Sequence, residues 1–448
     1  MSGPRRATGA AGEWPAELRI APFTRATGTL RLPGSKSMSN RALLLAALAR
    51  GTTALSGLLD ADDTRRMREA LAALGVAVRE AGDGQVLVEG CAGHFPVREA
   101  GLFLGNAGTA MRPLAAALAF AGGHYRLDGV ARMRERPIGD LVDALRALGA
   151  DITCEENEGY PPLRIAPAQA PARDRVAVRG SVSSQFLSGL LMAAPCFAPP
   201  GGVRIEVAGE LISRPYVAMT AAMMRDFGVT VAEEGDAAAP AFRVAPQEYV
   251  SPGHYDIEGD ASGASYFLAL GALAGGPVRV LGAGSRSLQG DVGFARELAR
   301  MGAKIDMGPD WIEASAGAGL HGIEVDATAI PDAAMTLAVV AMFARGATRI
   351  GGIGSWRVKE TDRIDAMAAE LTRAGARVQS GPDWISIEGP EHVREARIHT
   401  YDDHRMAMCL ALAAAGGVPV HVRDPGCVAK TYPDFFVRLA ALCRPGEG

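Results

Sequence analysis

GSKSMSNRALLLAALARG, at residues 34–51, is the first of six stretches in which a polar opening runs into an alanine- and leucine-rich helix that stops at a glycine. The openings lie at residues 35–37, 106–109, 183–185, 260–262, 332–334 and 402–405. The terminal glycines are Gly51, Gly122, Gly201, Gly275, Gly346 and Gly416. Their separations of 71, 79, 74, 71 and 70 residues are too regular for chance and too long for a solenoid period of about 20–50 residues. A supersecondary unit that occurs six times is therefore predicted.

In the first five units a second helix follows and ends at its own glycine, after which apolar and polar residues alternate as in a half-buried strand. These glycines are Gly75, Gly149, Gly228, Gly302 and Gly375. Glycine suits the left-handed position that closes a helix, where a side chain would be penalised. Helix and strand thus alternate throughout, which predicts an α/β fold.

The domain organisation follows from chain length and from an incomplete sixth unit. A chain of 448 residues can bury two ordinary cores, so three units per domain is the natural division. The sixth unit ends soon after its second helix, whereas residues 17–33 are strand-like and precede the first unit. We expect one domain over 33–250, a second over 17–32 plus 251–448, and a disordered tail at 1–16. Two chain crossings at one place predict a hinge that closes around a ligand.

Composition excludes several classes of protein. A net charge of −4 argues against a general binder of nucleic acid or of anionic membranes. The six cysteines show no CxxC spacing and the eight histidines no HExxH motif, so no disulfide framework or metal site is predicted. The N-terminal segment has no continuous apolar run, and the apolar helices are too short to span a bilayer. A cytoplasmic monomer is expected.

The polar openings are the places where chemistry is expected. A helix N-terminus presents unpaired N–H groups and about half a positive charge, so it can bind an anion in a protein of negative net charge. Lys36 and Arg41 would add two cations to the first opening. The alternative is that such residues are ordinary helix caps. That alternative applies to Ser37, Asn106, Ser183 and Asp332.

The densest group of charges is WRVKETDR, residues 356–363. A solvated helix start would explain it, but Glu360 could also work with Asp332 as an acid–base pair. That pairing requires the two helix starts to face one cleft.

The segments together resemble those of the 3-phosphoshikimate 1-carboxyvinyltransferase (EPSP synthase) family, within the enolpyruvyl transferases. The resemblance runs from about Leu32 to Phe436. It is carried by LPGSKSMSNRALLLAALA, LFLGNAGTAMRPLAAAL, RPIGDLVDALR, GSVSSQFL, EGDASGASYFLA, IPDAAMT, WRVKETDR, YDDHRMAM and AKTYPD. The related UDP-N-acetylglucosamine enolpyruvyl transferases share the fold, but their substrate motifs do not match these segments.

The resemblance implies a two-domain inside-out α/β barrel of six βαβαββ repeats, three per domain. It implies transfer of the enolpyruvyl group of phosphoenolpyruvate to the 5-hydroxyl of shikimate 3-phosphate in an interdomain cleft, with release of phosphate. No metal or organic cofactor is implied. Two alternatives stay open, namely an enolpyruvyl transferase for a nucleotide sugar and a noncatalytic anion-binding module.

Carried over by motif, the resemblance implies three sets of site residues. Asp332 would accept the hydroxyl proton, Glu360 would move the proton of the methylene carbon, and Lys36 would assist. Shikimate 3-phosphate would contact Lys36, Ser37, Arg41, Ser183, Ser184, Gln185, Ser213, Tyr216, Asp332, Ser355 and Lys359. Phosphoenolpyruvate would contact Lys36, Asn106, Gly108, Arg136, Gln185, Arg363, Arg405 and Lys430.

Two features refine this expectation. Ser355 stands where many relatives have an asparagine that contacts shikimate 3-phosphate, and because serine is shorter, that contact is either lost or runs through water. Gly108, Thr109 and Pro113 match the class that the herbicide glyphosate inhibits at the phosphoenolpyruvate site. The fourth opening, at Asp260, receives no role.

Overall fold

The computed structural model describes residues 14–168, 171, 173–236 and 239–444. It divides into two compact units. The N-terminal unit is Gly34–Glu258, and the C-terminal unit combines the described residues 14–33 and 259–444. Each unit has its own hydrophobic core.

The chain begins with two strands, β1 (Glu17–Ile20) and β2 (Arg25–Arg31), and then enters the N-terminal unit. The helices of that unit are α1 (Lys36–Leu48), α2 (Asp62–Ala73), α3 (Gly108–Leu118), α4 (Gly139–Leu148), α5 (Ser184–Phe197) and α6 (Arg214–Asp226). Its strands are β3 (Thr52–Ser56), β4 (Ala77–Glu80), β5 (Val86–Glu89), β6 (Glu99–Phe103), β7 (His124–Asp128), β8 (Asp151–Cys154), β9 (Leu163–Ala166), β10 (Arg175–Arg179), β11 (Val203–Ala208), β12 (Ala232–Gly235), β13 (Pro240–Val244) and β14 (His254–Asp256).

These strands form three four-stranded sheets of one topology. Their orders are β14-β3-β5-β4, β6-β7-β9-β8 and β10-β11-β13-β12. In each sheet the first pair is parallel and the other two pairs are antiparallel. The parallel pairs β6–β7 and β10–β11 enclose α3 and α5, which gives the βαβ connection that parallel strands require.

The C-terminal unit repeats the pattern. Its helices are α7 (Ala261–Leu273), α8 (Phe294–Arg300), α9 (Ala334–Val340), α10 (Arg363–Arg373), α11 (His404–Leu410) and α12 (Phe435–Leu442). Its later strands are β15 (Gly275–Leu281), β16 (Lys304–Met307), β17 (Trp311–Ser315), β18 (Glu324–Asp326), β19 (Thr348–Gly351), β20 (Arg377–Ser380), β21 (Ile385–Glu388), β22 (Ala396–Ile398), β23 (Val420–Arg423) and β24 (Cys443–Arg444).

The sheets of this unit are completed by the start of the chain. Their orders are β16-β17-β15-β2-β24, β18-β19-β21-β20 and β1-β23-β22. Strand β2 runs parallel to β15, and β1 runs antiparallel to β23. The N-terminal strands therefore supply partners to both the fourth and the sixth repeats.

The second passage between the units lies beyond the position expected from the sequence. It falls after Glu258 rather than at residue 250, because β14 pairs in parallel with β3 of the N-terminal unit. That strand is the first member of the first repeat's sheet, so it stays with the N-terminal unit.

The two helices of each repeat differ in burial. In α1 every residue except Ser37 is buried, and in α7 every residue except Leu273 is buried. Helix α10 instead buries Ile364, Met367 and Leu371 on one face. The first helices are thus central and the second helices cover them, as expected for apolar and amphipathic sequences respectively.

The N-terminal tail is partly described. Trp14 lies edge-on to Phe436 with ring centroids 5.5 Å apart, and the carbonyl of Ala16 accepts a hydrogen bond from the Asp424 N–H. The expected disordered tail therefore does not extend to these residues, and residues 1–13 lie outside the described part. Across the described residues, no helix is long and apolar enough to cross a membrane.

Candidate active site

A cluster of opposite charges surrounds Asp332 in the C-terminal unit. Its Oδ1 accepts a hydrogen bond from Arg363 Nη1 at 3.0 Å, and its Oδ2 accepts one from Arg405 Nη2 at 2.9 Å. The Nζ of Lys359 lies 3.6 Å from Oδ1. The three cations around Asp332 therefore come from α10, from the segment before α10 and from the start of α11.

Arg363 connects Asp332 to two further carboxylates. Its Nη2 donates to Glu360 at 3.0 Å, and its Nε donates to Asp403 at 2.7 Å. Arg363 is 1% exposed and Asp403 is 0% exposed, so water cannot replace these ion pairs. A buried guanidinium with such partners has its donors fixed in direction.

The charges around Asp332 determine its ionisation. Burial by itself would raise the pKa of Asp332, but Arg405, Lys359 and Arg363 outweigh burial and hold the pKa well below its usual range. Without substrate the carboxylate is therefore ionised throughout the neutral pH range.

The proposed partnership of Asp332 with Glu360 depends on a contact that sequence spacing leaves open. In the structure both carboxylates bind the same guanidinium, Asp332 at Nη1 and Glu360 at Nη2 of Arg363. The residue before Asp332 is also anchored, because the indole N–H of Trp356 donates to the carbonyl of Pro331 at 2.7 Å. Two carboxylates are thus held side by side at one buried cation.

Two other predicted residues of this unit occupy buried turns. Ser355 lies next to Trp356 in the 3-10 turn Gly354–Val358 and is buried. Lys430 ends the 3-10 turn Pro425–Lys430 and is also buried. Burial and, after it, the charge of Asp424 raise the pKa of Asp402, whereas the charge of Lys430 lowers it. Lys430 therefore acts electrostatically on the first residue of the sixth opening.

In the N-terminal unit, the first opening is held by partners on three other helices. Lys36 Nζ lies 3.2 Å from an oxygen of Asp63 in α2, a residue that is 1% exposed. Arg41 Nε donates to Thr220 of α6 at 2.7 Å, and its Nη1 donates to the carbonyl of Ser37. Asn40 donates to the hydroxyl of Thr109 in α3 at 2.6 Å.

Burial has a clear effect on Arg41. It lowers the pKa of Arg41 to about 10, against an opposing influence of Tyr216. The guanidinium therefore stays charged at neutral pH in a site with little water. An anion that reached it would gain more than at an exposed arginine.

The second opening places two arginines beside a glycine. Arg136 Nη1 donates to both the carbonyl and the side-chain oxygen of Asn106, at 3.0 and 2.9 Å. Arg112 donates to the carbonyl of Pro137 at 2.8 Å. A Cβ on Gly108 would lie 2.7 Å from Arg112 Nη1 and 2.9 Å from Arg136 Nη2. Glycine at this position leaves room for both guanidinium groups.

The third opening presents hydroxyls at two helix starts. Ser183 caps α5 by accepting the N–H of Gln185 at 3.2 Å, and Ser184 is the first residue of that helix. Ser213 precedes α6 with φ of 53°, a left-handed conformation that is uncommon for a serine. Tyr216 lies in the first turn of α6, whose Thr220 binds Arg41. Strained residues of this kind often accompany binding sites.

The interpretation of these residues as helix caps has a different outcome for each of the four. Ser183 is a helix cap. Ser37 is instead the second residue of α1, and Asn106 precedes the cap residue Ala107. Asp332 precedes the cap residue Ala333 and binds two arginines. The simple cap interpretation is therefore wrong for Ser37, Asn106 and Asp332.

Within the described ranges, no group of three or more histidine, cysteine, aspartate or glutamate side chains could hold a metal ion. The carboxylates at Arg363 are instead neutralised by guanidinium groups.

Comparisons with known proteins identify the family. The family model for EPSP synthase (3-phosphoshikimate 1-carboxyvinyltransferase) matches residues 20–439. The chain belongs to the EPSP synthase family. It is 58% identical over 437 residues to the 3-phosphoshikimate 1-carboxyvinyltransferase of Paraburkholderia phytofirmans, with 96% of this chain and 99% of the relative covered. It is 60% identical over 425 residues to the Thiobacillus denitrificans protein of the same name, with 94% and 98% covered.

Solved structures agree with this assignment. An EPSP synthase from Acinetobacter baumannii superimposes with a TM-score of 0.77 at 26% identity, covering 96% of this chain and 98% of that one. The enolpyruvyl transferase NikO from Streptomyces tendae has a TM-score of 0.70 at 20% identity over 95% and 96%, which shows a shared fold. The resemblance to the EPSP synthase family and the two-domain repeated α/β fold are thereby confirmed.

Two residues that contact the predicted EPSP synthase site were missed from the sequence. Asp63 binds Lys36, and Asp403 binds Arg363 while accepting the Arg405 N–H at 2.9 Å. Asp403 belongs to the sixth opening, so its place at a helix start was a usable signal. Asp63 is one of two acidic residues in the first turn of α2, where nothing in the local sequence distinguishes it from a residue of an ordinary helix start.

Proposed function

We propose that this chain transfers the enolpyruvyl group of phosphoenolpyruvate to the 5-hydroxyl of shikimate 3-phosphate. The products are 5-enolpyruvylshikimate 3-phosphate and phosphate, as in the shikimate pathway of aromatic amino acid biosynthesis. Membership of the EPSP synthase family over residues 20–439 supports this activity. Relatives that are 56–60% identical and carry the name 3-phosphoshikimate 1-carboxyvinyltransferase support it further.

The reaction is an addition followed by an elimination. The hydroxyl oxygen bonds to C2 of phosphoenolpyruvate while a proton is added to C3, which converts the methylene into a methyl group. C2 then carries both the new ether oxygen and the phosphate. Loss of phosphate from C2 and of a proton from C3 restores the double bond. The site must therefore accept one proton from the alcohol, and give and retake another at carbon.

Asp332 and Glu360 are proposed for these proton transfers. Asp332 accepts the hydroxyl proton, and Glu360 donates to C3 and later removes a proton from it. The single observation that carries this assignment is their shared guanidinium, because Arg363 holds both carboxylates at 3.0 Å from its two terminal nitrogens. A pair fixed in this way can act on the hydroxyl of one substrate and on the methylene carbon of the other without rearrangement.

The low pKa of Asp332 in the free protein fits this role once substrates bind. Arg405, Lys359 and Arg363 keep Asp332 ionised but also make it a weak base. In the proposed site Arg363 and Arg405 also contact the phosphoenolpyruvate anion, and Lys359 contacts shikimate 3-phosphate. Their charge is then shared with substrate, so the pKa of Asp332 rises toward the value that proton acceptance needs.

The remaining residues bind the four anionic groups of the two substrates. Shikimate 3-phosphate is assigned to Lys36, Ser37, Arg41, Ser183, Ser184, Gln185, Ser213, Tyr216, Asp332, Ser355 and Lys359. Phosphoenolpyruvate is assigned to Lys36, Asn106, Gly108, Arg136, Gln185, Arg363, Arg405 and Lys430. Buried arginines and helix N-termini support these assignments because both favour phosphate and carboxylate oxygens. No cofactor takes part in the proposed chemistry.

The enzyme is proposed to act as a cytoplasmic monomer. Each described sheet is completed within one chain, since β1 and β2 supply partners to β23 and β15. Light scattering during gel filtration should give the mass of one chain, 46.6 kDa.

Phosphate release separates this function from its alternatives. Purified protein should release phosphate only when phosphoenolpyruvate and shikimate 3-phosphate are both present. Release with UDP-N-acetylglucosamine in place of shikimate 3-phosphate would indicate a nucleotide-sugar transferase. Binding of both anions without phosphate release would indicate a noncatalytic module.

Gly108 supports a prediction about inhibition by glyphosate. Glyphosate should inhibit in the micromolar range and compete with phosphoenolpyruvate, because Gly108 leaves space between the guanidinium groups of Arg112 and Arg136. Gly108→Ala should raise the inhibition constant of glyphosate by about 100-fold and the KM for phosphoenolpyruvate by about tenfold, since the new Cβ must displace both groups. Steady-state kinetics with varied phosphoenolpyruvate measure both constants.

Gly101→Ala is a suitable control for this substitution. Gly101 lies in β6 of the same repeat, and a Cβ there would meet nothing within 4 Å. Both constants should match wild type in the control. A millimolar inhibition constant in the wild-type enzyme would contradict the assignment of Gly108 to an open phosphoenolpyruvate site.

A further inference from the structure

A buried glutamate of α10 holds the segment that leads into α11. Glu370 is 0% exposed, and its Oε1 accepts the hydroxyl of Tyr401 at 2.8 Å. Its Oε2 accepts the N–H of His399 at 3.3 Å and Arg373 Nε at 3.0 Å. Two of its three partners therefore lie in the loop before α11 rather than on its own helix.

That loop contains two consecutive residues in a conformation that L-residues avoid. Tyr401 has φ of 55° and Asp402 has φ of 53°. Each costs free energy compared with the right-handed or extended regions, so neighbouring contacts must hold the turn. Tyr401 is 41% exposed, and its hydroxyl is nevertheless tied to a fully buried carboxylate. Burial, followed by the bond to Glu370, raises the pKa of Tyr401 to about 12, so the phenol remains a donor at neutral pH.

The turn places Asp403, which binds the guanidinium of Arg363 and caps the helix at the backbone of Arg405. Asp403 directly follows the two left-handed residues. Its carboxylate binds Arg363 Nε at 2.7 Å and accepts the backbone N–H of Arg405 at 2.9 Å. A change in this turn would therefore move Asp403 and, with it, the guanidinium of Arg363 and the backbone from which the Arg405 side chain extends.

We propose that Glu370 is a positioning residue for phosphoenolpyruvate binding, acting through Tyr401 and Asp403 on Arg363 and Arg405. This inference rests on the proposed function of those two arginines. Glu370 does not touch substrate in this account. It begins a chain of contacts that runs from the second turn of α10 to the start of α11 and back to the first residue of α10.

The fourth repeat offers an internal control for this role. Glu297 in α8 stands five residues before Gly302, just as Glu370 stands five residues before Gly375. Both glutamates are buried, and both pair with an arginine three residues later. Among the described residues, the other side-chain partner of Glu297 is the adjacent Arg296, so Glu297 resembles Glu370 without its bonds to a following loop.

The test compares Glu370→Gln with Glu297→Gln in the full-length enzyme. Glu370→Gln should raise the KM for phosphoenolpyruvate about tenfold and change the KM for shikimate 3-phosphate less than twofold, because the disturbance reaches only Arg363 and Arg405. Tyr401→Phe should raise the KM for phosphoenolpyruvate about threefold. The double variant should have the same KM for phosphoenolpyruvate as Glu370→Gln alone. Glu297→Gln should leave both KM values at wild type, even where it lowers the melting temperature as much as Glu370→Gln does.

Three outcomes would contradict the positioning role of Glu370. Equal KM values for phosphoenolpyruvate in Glu370→Gln and Glu297→Gln would overturn the positioning role and leave the proposed function standing. A similar rise of both KM values in Glu370→Gln would assign it to general stability and also overturn the role. Wild-type enzyme without turnover would overturn the proposed function and this inference with it.

Discussion

Asp332→Asn is expected to lower kcat by about 10²–10⁴-fold while the KM values of both substrates stay within a few-fold of wild type. Asparagine keeps the shape of aspartate, and its single carbonyl oxygen can still accept a hydrogen bond from Arg363 or from Arg405. It cannot accept a proton from the attacking hydroxyl. The loss should therefore appear in turnover, which initial-rate measurements of phosphate release separate from binding.

Asp365→Asn is the matched control for this change. Asp365 lies in α10, and its side chain is 70% exposed and paired with Arg357 at the surface. An exposed pair of this kind contributes little, so the control should keep wild-type kcat. Near-normal kcat in Asp332→Asn with intact substrate affinity would show that another group removes the hydroxyl proton.

Arg363→Met should have the largest effect on stability and should abolish measurable activity. Arg363 neutralises Asp332, Glu360 and Asp403, and Asp403 would remain fully buried without this cation. Breaking a buried ion pair by removing one partner costs about 3–5 kcal/mol, because the other charge stays desolvated. Thermal unfolding should therefore show a lowered transition, and no phosphate release should be detected at saturating substrate.

Arg377→Met makes the same chemical change at the surface of the fifth repeat. The side chain of Arg377 is 78% exposed, and it pairs with Glu388 on the neighbouring strand. The melting temperature and activity of Arg377→Met should match wild type. If Arg363→Met also had wild-type melting temperature and activity, the carboxylates Asp332, Glu360 and Asp403 would not depend on a central guanidinium.

The repeated architecture could be predicted because each unit carries local signals. A buried helix needs an unbroken apolar sequence, and the turn after a helix needs a left-handed residue, so Gly75 and Gly149 mark their helices directly. The pairing of strands from distant parts of the chain is harder to predict, because it has no local sequence signal. β14 reads as an ordinary short strand, and only its pairing with β3 shows that it belongs to the first repeat.

The contacts of the candidate site could be predicted less well than its residues. The sequence suggests Asp332 and Glu360 as a possible pair. It assigns Arg363 only to phosphoenolpyruvate and does not show that the guanidinium of Arg363 joins the two carboxylates. Asp403 is 40 residues from Arg363 along the chain, and Glu370 is 31 residues from Tyr401. No local periodicity links residues at such separations, because the repeat fold alone brings them together.

The proton transfers at carbon allow the most direct test of this account. The enzyme would be run in deuterium oxide with phosphoenolpyruvate and shikimate 3-phosphate, and the product examined by mass spectrometry. Addition and elimination through a methyl group predict deuterium on the methylene carbon of the enolpyruvyl product. A product formed at the normal rate without deuterium would contradict the proposed roles of Asp332 and Glu360, because no proton would then have been exchanged at that carbon.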